Sequence, residues 1–103
     1  MHIISRKPFI VAAKQYPNDA AAINRTYKVL ARGDFRSPDE LRKIFSTLDN
    51  FKYKDSWWVI DIAGNNLRLI AFIRFRDNRM YVKHVVNHTE YNKLCKRYSK
   101  KAD

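Results

Sequence analysis

A chain of 103 residues with 46% hydrophobic and 14% aromatic side chains has the size of one domain with a small core. Twenty-one Lys and Arg against ten Asp and Glu leave a net charge of +11, which favours a phosphate-rich partner such as RNA or the ribosome over an acidic protein, an anionic membrane surface or plain solubility. No apolar run reaches the roughly 20 residues of a membrane span, "MHIISRKPF" has no secretory h-region, and the single Cys95 excludes an internal disulfide framework and fits a reducing cytosol.

"MHIIS" is compatible with a short first strand. "KPFIVAAKQY" has helical apolar spacing at Phe9, Ala12, Ala13 and Tyr16, with Pro8 in its first turn. "YPND" breaks the chain, and Asn18 or Asp19 is placed to cap a second helix. Its apolar stripe is Ala20, Ile23, Tyr27, Leu30 and Ala31, and Gly33 is placed to end it. These two helices are expected to form an antiparallel hairpin. In "SPDELRKIFSTL", Ser37 caps, Pro38 opens the helix and Glu40 completes an S-x-x-E box. Leu41, Ile44, Phe45 and Leu48 follow on one narrow face.

From Trp57 the period changes. "WWVIDI", "LRLIAFIRF" and "MYVKHVV" have strand composition, and "AGNN" and "RDNR" between them supply turn chemistry, so an antiparallel meander is expected. Tyr91, Leu94, Cys95 and Tyr98 then place a last helix from about Thr89. The order of helices, sheet and helix predicts one α+β domain over 1–103, with about 99–103 a frayed basic tail.

His84 and His88 have the H-x-x-x-H spacing of a helical zinc site. On a strand, however, four residues span about 13 Å and the two rings cannot share an ion. One cysteine and ten scattered acids argue against a structural zinc site and against a carboxylate-bound metal nuclease. Neither a metal nor another cofactor is expected. Metal-free cleavage is open to RNA alone: its 2′-hydroxyl attacks the neighbouring phosphate, a base takes the proton, an acid protonates the leaving 5′-oxygen, and cations offset the developing charge. Side chains of the required types crowd the meander and the start of the last helix: Arg68, Arg74, Arg76, Arg79, Lys83, His88 and Tyr91. Arg68 and Arg74 share one strand face by parity, while Leu67, Leu69, Ala71 and Ile73 line the other as core. Beside this stand plainer roles: Arg68 as a surface cation, His88 bonded to a turn, and Tyr91 packed on the apolar stripe of the last helix.

The order of elements, with "LDNFKY", "GNNLRLIA" and "VVNHTEY" in the right order and spacing, resembles the HigB toxins of type II toxin–antitoxin modules, within the RelE/ParE superfamily. The resemblance covers nearly the whole chain. It implies a microbial RNase fold, N-terminal helices on a twisted antiparallel sheet with a short C-terminal helix. It implies a cytoplasmic mRNA interferase that cuts codons on translating ribosomes and leaves a 2′,3′-cyclic phosphate. The implied partners are a HigA antitoxin with a helix-turn-helix, and operator DNA only through the toxin–antitoxin complex. Carried onto this chain, the resemblance makes Arg68 a phosphate and transition-state clamp, His88 a catalytic histidine at the end of the last strand, and Tyr91 an acid, base or stacking platform. Asn66, Arg74, Arg76 and Lys83 become RNA-binding candidates. One departure stands out: "WWVIDI" puts Val59 and Asp61 where RelE itself has basic residues. The same superfamily leaves two rivals, a ParE-like gyrase inhibitor without nuclease activity and an inactive antitoxin-binding homologue.

Overall fold

In the computed structural model, which describes residues 1–101, β1 (His2–Ile4) leads into α1 (Lys7–Gln15), a 3-10 turn (Pro17–Asp19) and α2 (Ala20–Arg32). There follow α3 (Pro38–Ile44), β2 (Asp49–Asn50), β3 (Trp57–Ile62), β4 (Leu67–Arg74), a second 3-10 turn (Phe75–Asp77), β5 (Arg79–Asn87) and α4 (His88–Lys101). The sheet order is β1-β5-β4-β3-β2. Strands β3, β4 and β5 form the expected antiparallel meander. Two edges go beyond it. At one, Asp49 and Asn50 pair antiparallel with β3; at the other, β1 lies parallel to β5, Ile3 opposite Met80. The sheet is therefore mixed rather than purely antiparallel. A parallel pair needs a long crossover, and here the helices and the other strands intervene between β1 and β5.

Alternation along the strands sorts side chains to two faces. Ile60, Ile62, Leu67, Leu69, Ala71 and Ile73 join Phe9, Ala12, Ile23, Leu30 and Leu41 in the larger core beneath the helical hairpin. Val59 and Ile70 look the other way, into a smaller core with Phe51 and Leu94, which α4 closes. One bulge interrupts the parity. Ile70 pairs with His84 while Ala71 pairs with Val82, so Lys83 is the extra residue of β5. Met80 and Val82 face the larger core before the bulge, and Val85 does so after it.

The helices follow their sequence signals with local departures. On α2 the buried stripe is Ile23, Thr26 and Leu30, while Ala31 is exposed. Gly33 ends α2 in extended backbone, φ −80°, not in the left-handed turn expected of a C-cap glycine. Its role is space, because a Cβ there would run into the Phe35 ring. Ser37 Oγ accepts from the Glu40 N–H at 3.2 Å, and the Glu40 carboxylate reaches back to the Arg36 N–H at 2.7 Å. The helix so capped stops at Ile44, which is 57% exposed. Leu48 reaches the core from the turn beyond it. The last helix starts one residue before Thr89 and runs 14 residues, so it is not short. Residues 99–101 of the expected frayed tail belong to it, and 102–103 lie outside the described residues.

Candidate active site

Arg68 is the second residue of β4, directly opposite Asp61 on β3. Its Nε lies 3.2 Å from Asp61 Oδ1, with the two side chains only 15% and 23% exposed. Nη1 donates to the Asn65 carbonyl at 2.7 Å. The Tyr91 ring, from α4, lies 5.8 Å from the guanidinium carbon. An arginine held from three sides loses little further entropy on meeting an anion, and its remaining N–H groups stay available for one.

The β5–α4 junction forms the adjoining wall. Asn87 Oδ1 accepts from the Glu90 N–H at 2.9 Å and so caps α4, while the Asn87 N–H donates to Tyr16 Oη at 3.3 Å. That second bond ties the end of the helical hairpin to the start of α4. His88 is the first residue of α4 and is exposed. His88 has left the strand, so counting by twos from His84 no longer sets its direction. Arg68, His88 and Asn66 line one open cleft of about 530 Å³, together with Asn65, Asn87, Thr89, Tyr16 and Asp19.

Tyr91 sits one turn into α4, on its inner side. Its ring packs edge-on to Phe51 at 6.4 Å, the packing role that its place on the apolar stripe implies. Burial pushes its phenol up to about 12, with a hydrogen bond to Cys95 adding to the rise and the Arg68 charge opposing it. The phenol therefore holds its proton at neutral pH more firmly than an ordinary tyrosine.

Three candidates lie elsewhere. Arg74 is six residues along β4 from Arg68, about 20 Å at strand spacing, and is exposed and ion-paired with Asp77 at 2.9 Å. Arg76 is exposed in the 3-10 turn beyond it. Lys83, at the bulge, places its ammonium 5.7 Å from the Trp57 ring. His84 is held by Tyr98, Nε2 to Oη 2.9 Å, and burial lowers its pKa, with the Arg97 and Lys83 charges acting in the same direction. The structure thus gathers Arg68, Asn66 and His88, with Tyr91 adjoining, and leaves Arg74, Arg76 and Lys83 outside the cleft. Tyr16 and Asp19 join it through tertiary contact, since their local patterns mark a packing ring and a helix cap rather than a site. Asp61 carried a signal, an acid in an otherwise apolar strand, without its partner.

The model of the HigB_toxin family, described as a RelE-like toxic component of a toxin–antitoxin system, matches residues 19–94. The chain is 52% identical over 98 residues to an mRNA interferase HigB of Escherichia coli O6:H1 strain CFT073, covering 95% of each. It is 36% identical over 92 residues to the mRNA interferase toxin HigB of Escherichia coli K12, covering 89% of this chain and 88% of that one. An mRNA interferase HigB of Shigella flexneri matches to the same extent.

Proposed function

Since the chain belongs to the HigB family of RelE-like toxins of toxin–antitoxin systems, we propose that it is an mRNA interferase, an endoribonuclease that stops translation by cutting message on the ribosome. The observation that carries this reading is the fixed guanidinium of Arg68, which shares a cleft with His88 and lies against Tyr91. Such a set supplies the parts that metal-free RNA cleavage requires.

In that reaction the scissile phosphate rests on Arg68, near the N-terminus of α4, where the helix dipole also favours an anion. The 2′-hydroxyl gives its proton to the His88 imidazole as general base. The 2′-oxygen bonds to phosphorus as the bond to the 5′-oxygen breaks. Tyr91, which holds its proton, delivers it to that leaving oxygen. Arg68 offsets the charge on the phosphorane-like transition state. The products are a 2′,3′-cyclic phosphate and a free 5′-hydroxyl.

A toxin component has an antitoxin partner. We assign that role to a HigA-type helix-turn-helix protein, which would bring operator DNA to the complex, and place the toxin in the cytoplasm with its ribosomes. The test is mRNA integrity in a reconstituted translation system, with Arg68→Ala and His88→Ala beside wild type and with ribosome-free controls. Ribosome-dependent cuts within the reading frame, lost in both variants, are expected. Intact message at high dose overturns the reading.

A further inference from the structure

Asp19 occupies the N-cap position of α2, a task for which aspartate is among the best residues. Yet its side chain makes no capping hydrogen bond, and no ion pair among the described residues. It lines instead the cleft that holds Arg68 and His88. In a chain of net charge +11, a carboxylate in the same cleft as Arg68 weakens the local attraction for RNA. Its placement needs a compensating use, and the base of a bound nucleotide offers one.

A carboxylate only accepts hydrogen bonds, through two oxygens side by side. Guanine matches it, because its Watson–Crick edge presents two adjacent donors, N1–H and the N2 amino group. Adenine, cytosine and uracil each set an acceptor next to their donor, leaving one carboxylate oxygen against a lone pair. Guanine O6 then needs a donor, which the amide of Asn66 or Asn87 in the same cleft can supply. Tyr16 is an aromatic member of the same lining, and unstacked bases of single-stranded RNA are held by aromatic side chains while their edges are read.

We propose that this cleft is a guanine-selective nucleotide pocket, in which Asp19 reads the base and Arg68 holds the phosphate on its 3′ side. The assignment rests on the RNA-cleaving reading above and gives it a sequence preference: cuts fall after guanosine.

Binding of 3′-GMP, 3′-AMP, 3′-CMP and 3′-UMP to the isolated protein tests it, followed by NMR titration on wild type and Asp19→Asn. The substitution is nearly isosteric and removes no capping bond, and a thermal melt checks that it folds. Wild type should bind 3′-GMP on the order of ten-fold more tightly than the other three, an advantage that falls to about two-fold or less in Asp19→Asn. On wild type, 3′-IMP, which lacks the N2 amino group, should bind several-fold more weakly than 3′-GMP. Equal affinities in wild type, a guanine advantage that survives Asp19→Asn, or no nucleotide binding would each overturn the proposal. Cleavage of message without preference for guanosine also sinks it and leaves the interferase reading intact. Intact message sinks the interferase reading, whatever the nucleotides do.

Discussion

Asp61 and Arg68 face each other across β3 and β4, Oδ1 to Nε 3.2 Å, with both side chains more than three-quarters buried. The pair explains the acid in the middle of "WWVIDI". A strand residue that reads as a departure from a basic pattern serves to aim the guanidinium on the neighbouring strand. Asp61→Ala should therefore lower mRNA cleavage by about ten- to a hundred-fold through loss of positioning. It should also cost about 1–3 kcal/mol of stability, below the cost of breaking a fully buried pair because both groups keep some solvent contact. Cleavage rate and urea denaturation of the same preparation check both halves; unchanged cleavage would mean that Asn65 and Tyr91 suffice to hold Arg68.

The Tyr91 phenol titrates at about 12, above its ordinary 10.0, so the folded state favours its protonated form. That contribution is complete below pH 10 and is lost as pH rises toward 12, because there the unfolded chain binds fewer protons than the folded one. Tyr91→Phe should remove this part of the alkaline fall in stability and at neutral pH should keep most of the packing against Phe51. Its cleavage should drop by about a hundred-fold if the phenol is the acid. Urea midpoints between pH 9 and 12, compared for the two proteins, isolate the linkage. Near-wild-type cleavage by Tyr91→Phe would reduce Tyr91 to a stacking platform.

His84 behaves in the opposite sense. Burial, aided by Arg97 and Lys83, lowers the pKa of its ring from 6.5, while Tyr98 holds Nε2 at 2.9 Å. Between 6.5 and the lower folded value, the unfolded state binds more protons. Stability present above pH 6.5 is thus lost as pH falls through that window. Denaturation midpoints from pH 7 to 4 should decline more steeply for wild type than for His84→Gln; equal slopes would show that other groups set the acid limb.

Much of this architecture was legible in the chain, for local reasons. The β-branched and aromatic alternation of Trp57–Ile62 and Leu67–Arg74 and the Ser37–Pro38–Glu40 start each carry their structure within a few residues. What escaped depends on partners distant in sequence. Asp49 and Asn50 form a strand only because β3 is beside them, and Ile3 pairs with Met80 across most of the chain. The bulge at Lys83 shifts parity along β5, so counting by twos fails there. In the candidate site, Arg68, His88 and Tyr91 were visible as residue types that RNA chemistry uses. Tyr16 and Asp19 arrive from the helical hairpin, where their own neighbours suggest a packing ring and a helix cap.

Leu94 is the buried residue on which α4 rests, 8% exposed and packed with Phe51, Val59 and Ile70. Leu94→Ala should cost about 2–4 kcal/mol through lost burial and the cavity left behind. Because Tyr91 lies one turn away on the same face, loosening α4 should also reduce cleavage, although Leu94 itself does not line the cleft. Chemical denaturation together with hydrogen exchange of the α4 amides would follow both effects. A loss of stability with α4 protection intact would place the damage in the sheet instead.

Arg68→Lys and Arg74→Ala separate geometry from charge. A lysine at position 68 keeps the positive charge, but its single ammonium cannot reproduce the planar fork that meets Asp61 and the Asn65 carbonyl together. Arg74→Ala removes a whole charge from the same strand face, at a point where the arginine is already paired with Asp77 in solvent. If cleavage depends on a fixed guanidinium, Arg68→Lys should lose at least about a hundred-fold. Arg74→Ala should then stay within about three-fold of wild type, as for a screened surface charge. Were RNA attraction by net charge the main requirement, the order would reverse, with Arg68→Lys active and Arg74→Ala impaired most strongly at low salt. Cleavage rates of both variants at two salt concentrations decide between these accounts.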